Sequence, residues 1–78
     1  MGGLRYQFGI RLRFLRRQRN LTQEQLAELS NLSVDFISLV ERGINAPSFE
    51  NIERLAEIFG IPVYKLFIWT DALDEERK

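Results

Sequence analysis

Two short segments with helical apolar spacing, each opened by its own cap and separated by only a few residues, constrain this chain more than any other feature. Thr22-Gln23-Glu24-Gln25 has the pattern of a capping box. In such a box the Thr22 hydroxyl accepts from the amide three residues on, and Gln25 reaches back to the Thr22 amide. Glu24 in the first turn complements the helix dipole. This segment ends near Leu29 or Ser30, with Leu26, Ala27 and Leu29 available to a core, and Asn31 stands where a tight turn takes a positive φ. Ser33 then caps a second segment running to about Arg42, stopped by Gly43, with Phe36, Ile37 and Val40 facing inward. So short a connection forces the two helices to meet at a sharp angle, and the small Ala27 suits a close crossing.

The same signals extend along the chain. A first helix is expected from about Gln7 to Arg19, with Phe8, Leu12 and Leu15 on one face, and Asn20 as its stop. Ser48 after Pro47 caps a fourth, striped by Ile52, Leu55, Ala56 and Phe59, supported by a Glu50–Arg54 pair and ended by Gly60. Pro62 opens a fifth, running through Tyr64, Leu66 and Phe67 as far as Leu73. No strand pattern competes, so the expected class is all-α, one domain over 1–78, with an acidic tail closing the 62–78 segment.

Composition narrows the chemistry. The 78 residues include no cysteine and no histidine. That removes Cys- or His-based nucleophiles and zinc sites with nitrogen or sulfur ligands, so neither metal nor cofactor is expected. Glu24, Glu28 and Glu57 form no constellation for acid–base catalysis and read as solvated helix faces, so an enzyme is not expected. The longest apolar run, Leu66 to Trp69, is far shorter than the roughly 18–20 residues of a membrane span, and the lack of cysteine suits the cytoplasm. Net charge is zero, yet Arg5, Arg11, Arg13, Arg16, Arg17 and Arg19 precede Asn20 without one acid, and the remainder is net acidic. A basic end of this kind points to a polyanion, and arginine suits bidentate phosphate contacts.

From Phe8 to Phe67 the sequence resembles the phage-repressor- and Cro-like helix-turn-helix regulators, including restriction–modification controller proteins. The resemblance is carried by Phe8-Gly-Ile-Arg-Leu-Arg-Phe-Leu-Arg16, Leu21-Thr-Gln-Glu-Gln-Leu-Ala27, Phe36-Ile-Ser-Leu-Val-Glu-Arg-Gly43, Pro47-Ser48 and Leu55-Ala-Glu-Ile-Phe-Gly-Ile-Pro62. It implies a five-helix, lambda-repressor-like domain with the helix-turn-helix at 22–42, binding double-stranded DNA with its second motif helix in the major groove. It further implies that Gln23 contacts the DNA backbone and braces the recognition helix. Ser33, Val34, Asp35, Ser38 and Leu39 fall on groove-facing positions, and Arg42 and Asn45 near phosphate. Arg13 and Arg17 are the expected contacts from the basic segment. Arg16 and Glu41 match a partly buried ion pair, which is preferred to a DNA contact for Arg16.

This chain departs from the family pattern in three ways. Asn20 and Asn31 replace the usual glycines, and asparagine tolerates that conformation best among substitutes. The groove-facing set also lacks Arg, Gln and Asn, the side chains of bidentate base contacts. Val34 and Leu39 are suited to thymine methyls, Ser38 to either base, and Asp35 either to a cytosine amino group or simply to the helix N-terminus. Tyr64, Ile68, Trp69 and Leu73 are apolar residues beyond the motif. They either complete the core or form a homodimer surface, the preferred use. The expected activity is transcriptional regulation, as a repressor or activator on a palindromic operator. A protein-interaction adaptor or an antitoxin built on the same fold is the alternative, and no small-molecule effector is expected.

Overall fold

The computed structural model describes residues 3–69. It contains four α-helices: α1 (Leu4–Gln18), α2 (Gln23–Ser30), α3 (Val34–Glu41) and α4 (Phe49–Phe59). A 3-10 helix over Val63–Phe67 follows, and no strand occurs among the described residues.

Local chemistry sets where each helix starts and stops. The capping box of α2 is formed in both directions: Gln25 N donates to Thr22 Oγ1 at 3.0 Å and Thr22 N to Gln25 Oε1 at 2.8 Å. Ser33 and Ser48 cap α3 and α4 by accepting from the amides of Phe36 and Asn51. All four α-helices close with one device. The amides of Leu21, Leu32, Ile44 and Ile61 donate back to the carbonyls of Arg16, Ala27, Leu39 and Ala56, each over a positive-φ residue just before. Those residues are Asn20 (φ 57), Asn31 (φ 59), Gly43 (φ 79) and Gly60 (φ 68). This arrangement satisfies otherwise orphaned carbonyls and turns an apolar residue back onto the helix end. Leu21, Leu32 and Ile61 do pack against the core.

The core joins all five elements through Phe8, Leu12, Leu15, Leu26, Ala27, Ile37, Val40, Leu55, Ala56, Phe59 and Leu66. Phe36, Ile52 and Phe67 lie at its edge, whereas Leu29, expected inside, is exposed.

The α-helix expected to run on from Pro62 is not formed over Val63–Ile68. Pro62 is the extended residue ahead of a 3-10 turn, and Ile68 is again extended at φ −96 and ψ 105. Residues flanking an extended one share a face, which brings both Phe67 and Trp69 to the core. Phe67 packs on Phe8 with ring centroids 5.4 Å apart, and Trp69 on Phe67 at 5.9 Å. Continuing an α-helix would have sent these two rings to different sides. Leu73 and the acidic tail lie outside the described residues.

Two further departures concern charge. α1 begins at Leu4 rather than Gln7, and Arg5 in its first turn donates to Ile44 O at 3.0 Å. The Glu50–Arg54 pair is absent from the ion pairs of the described residues; Arg54 donates instead to Ser30 O at 2.9 Å. A carbonyl at the end of α2 is an acceptor the helix itself leaves over.

Candidate DNA interface

Where α1 crosses the C-terminal end of α3, one buried carboxylate collects three elements. Arg16 donates from Nε to Glu41 Oε2 at 2.6 Å and from Nη2 to Oε1 at 3.0 Å, a fork that fits a carboxylate. Arg16 Nη1 also donates to Leu21 O at 2.8 Å, tying α1 to the start of the motif. Gln23, the first residue of α2, donates from Nε2 to Glu41 Oε1 at 3.0 Å. Arg13 Nε stands 3.8 Å from the same oxygen, with its side chain 40% exposed. Glu41 itself is 3% exposed. The α2–α3 angle is therefore held by one carboxylate whose oxygens are both occupied.

Gly9 makes that approach possible. A β-carbon there would stand 2.6 Å from the carbonyl oxygen of Glu41 and nearer still to that of Val40. Neither is a flexible side chain, so nothing local can yield. The motif leaves this residue unmarked, although a glycine inside a helical pattern is itself a signal of close backbone approach.

The set expected to face a groove lies along the solvent-facing side of α3, with Val34 and Ser38 bordering the stripe that carries Glu41. Ser33 is its cap, Val34 its first residue at 36% exposure, and Asp35 is exposed in the first turn. Ser38 and Leu39 follow one turn later, half-buried, four residues beyond Val34 and Asp35. Arg42 is exposed at the helix end, and Asn45 is half-buried, its amide donating to Leu39 O at 3.3 Å. Arg17 is exposed on α1, one turn from Arg13.

The basic segment divides sharply. Arg5, Arg11, Arg16 and Arg19 are engaged within the fold. Arg11 Nε donates to Lys65 O at 2.8 Å, and Arg19 Nη2 to Phe59 O, the last residue of α4, at 2.7 Å. Arg19 also stacks over the Phe59 ring at 4.8 Å. A charge run in sequence is thus mostly a set of carbonyl clamps; within it Arg17 is exposed and Arg13 partly so, and beyond it Arg42 is exposed as well. Among the described residues no group of His, Cys, Asp and Glu is placed to hold a metal ion.

The helix-turn-helix family profile matches residues 12–66, most of the chain. This chain belongs to that family. It is 41% identical over 56 residues to the HTH-type transcriptional regulator DdrOP3 of Deinococcus deserti, covering 72% of this chain and 43% of that protein. It thus spans less than half the length of that relative. Control protein C.BamHI of Bacillus amyloliquefaciens is 33% identical over 76 residues, covering 96% of this chain and 94% of that one. Among solved structures, the restriction-modification controller protein C.AhdI from Aeromonas hydrophila superposes with a TM-score of 0.77 at 43% identity. That match covers 81% of this chain and 96% of the controller. No helix among the described residues is long and apolar enough to cross a membrane.

Proposed function

We propose that this chain is a sequence-specific double-stranded DNA-binding transcriptional regulator, acting in the cytoplasm as a homodimer on a palindromic operator. The observation that carries this reading is the solvent-facing side of α3 that bears Ser33, Val34, Asp35, Ser38 and Leu39, backed by the Glu41 network and ended by exposed Arg42. A major groove admits one α-helix. Gln23, Arg13, Arg17, Arg42 and Asn45 contact phosphates around it, and Val34, Asp35, Ser38 and Leu39 meet the base edges. The names of the related proteins, regulators and controllers, support the same reading.

Two recognition helices are needed because one such helix sees few base pairs. The proposed dimer surface comprises Tyr64, Ile68 and Trp69, with Leu73 beyond the described residues. Tyr64 is 64% exposed, so Tyr64→Asp is the variant that perturbs this surface without stripping the Phe67–Trp69 contact.

Selection of bound duplexes from a randomised pool tests the reading. The expected result is a two-fold symmetric site with half-sites roughly 34 Å apart. Binding should weaken linearly on a log–log salt plot as counterions are released. Absence of affinity for every duplex at low salt would favour the adaptor or antitoxin reading instead. Sedimentation across a concentration series tests the dimer: wild type associates and Tyr64→Asp remains a folded monomer.

A further inference from the structure

The reading face offers unusual chemistry for a helix in a major groove. Purine edges present N7 with either O6 or an amino group, and are ordinarily read by two-pronged Arg, Asn or Gln side chains. None of these occurs among Ser33, Val34, Asp35, Ser38 and Leu39. The face supplies two apolar side chains, two hydroxyls, and one carboxylate that only accepts. Asp35 is exposed and enters no ion pair among the described residues. Leu39 sits one turn further along the same face.

That set matches pyrimidine edges. Thymine presents a C5-methyl group beside the O4 acceptor, and cytosine presents N4 amino hydrogens beside C5. A cytosine methylated at C5 presents the amino donor and the methyl side by side, which an acceptor and an apolar side chain can meet together. Thymine satisfies the apolar half but turns O4 toward the carboxylate, two acceptors in opposition. Arg42, exposed at the C-terminal end of α3, supplies charge of the kind that a DNA duplex requires.

We propose that the α3 face reads pyrimidine C5-methyl groups, so that methylation of a cytosine meeting Asp35 and Leu39 strengthens binding instead of blocking it. This rests on the DNA-binding reading above and specifies what that site recognises. Each methyl covered is worth about fourfold in affinity, the equivalent of about 0.8 kcal/mol for a buried methyl or methylene group.

The test starts from the tightest duplex recovered by selection. Single thymines are replaced by deoxyuridine, and single cytosines by 5-methylcytosine, at every half-site position; affinities are compared at one salt concentration. The expected result is a loss of about fourfold for deoxyuridine at one or more positions, and a gain of similar size for 5-methylcytosine at another. Leu39→Ala, checked for retained helicity, should bind methylated and unmethylated duplexes equally. Val34→Ala, at an exposed site, should erase the dependence at a different position. Arg42→Ala should weaken every duplex alike and keep the methyl ratio. Clear sequence preference with less than twofold response to either modified base would overturn the inference and leave the DNA-binding reading standing. So would an unchanged methyl ratio in both Leu39→Ala and Val34→Ala. If no unmodified duplex binds at low salt, the DNA-binding reading falls and this inference with it.

Discussion

The two sides of α3 are governed by different physics. On the side facing α1 and α2, the Glu41 carboxylate accepts three hydrogen bonds below 3.1 Å from Arg16 and Gln23. Gly9 there lets two backbones approach more closely than a methyl group would allow. On the solvent side, Asp35 is exposed and Val34 is 36% exposed at the edge of the packed surface. One helix thus carries a face that can hardly change and a face that can change freely. The difference shows how the helix is held in place through its buried side while its solvent-facing side is left free to vary.

The largest expected effect tests the enforced side. Glu41→Ala leaves the Arg16 guanidinium, 8% exposed, without its carboxylate. Breaking such a pair from one side costs about 3–5 kcal/mol, a large part of the 5–15 kcal/mol or so that holds a small domain together. Removing both charges with Arg16→Met and Glu41→Leu should cost much less than the two single changes summed, because no buried charge is then stranded. Urea denaturation of Glu41→Ala, and of the cycle of wild type, Arg16→Met, Glu41→Leu and their double variant, measures this. Additive losses would show that the pair does not act as a unit, and the contrast between the two faces would weaken.

Next in size is Gly9→Ala. In an unobstructed helix alanine is favoured over glycine by about 1 kcal/mol. Here the added methyl meets the Val40 and Glu41 carbonyls, so α1 or α3 must shift, and overpacking of this kind costs about 1–3 kcal/mol. The expected net result is a lower melting temperature. A higher one would mean that the crossing is looser than its geometry indicates.

These two residues also mark what was legible in the sequence. Caps and stops are local chemistry, so Thr22, Gln25, Ser33 and Ser48, with the turns at Asn20, Asn31, Gly43 and Gly60, could be read directly. The Arg16–Glu41 pair came through family resemblance, since nothing local links residues 25 apart. Features set by tertiary contact were misread or missed. Apolar spacing after Pro62 suggested a long α-helix, because spacing does not report that Phe67 and Trp69 pack toward Phe8. The arginine run suggested one polyanion surface, because charge does not report that Arg5, Arg11 and Arg19 reach carbonyls across the fold. The placement of Val34, Asp35, Ser38 and Leu39 along α3 is legible from the spacing of the motif, because their order on the helix is local.

A smaller effect lies at the junction of the two faces. Ser33 Oγ accepts from the Phe36 amide at 3.0 Å, and losing such a cap costs about 1 kcal/mol. Ser33→Ala should lower stability by that amount and speed hydrogen exchange at the Phe36 amide, while amides in the middle of α1 change only with global stability. Equal acceleration throughout the chain would show that α3 has no separately frayed first turn.

The smallest expected effect falls on the reading face, where the contrast predicts stability and recognition to part company. Val34 is 36% exposed at the first position of α3, so truncation removes only part of a side chain's burial. Alanine's helix preference offsets much of that loss, by about half a kcal/mol over valine. The net change in unfolding free energy for Val34→Ala should stay within about 0.5 kcal/mol, the usual range for a surface change. Recognition should nonetheless change under the proposed reading, because a position that meets bases alters which sequence is preferred, whereas one that meets phosphate, as proposed for Arg42, alters affinity uniformly. Denaturation and duplex selection on the same preparation measure both quantities. A stability loss above about 1.5 kcal/mol would place Val34 with the structural face despite its exposure. Unchanged stability with unchanged preference would remove it from the reading face, leaving Asp35, Ser38 and Leu39 to carry specificity.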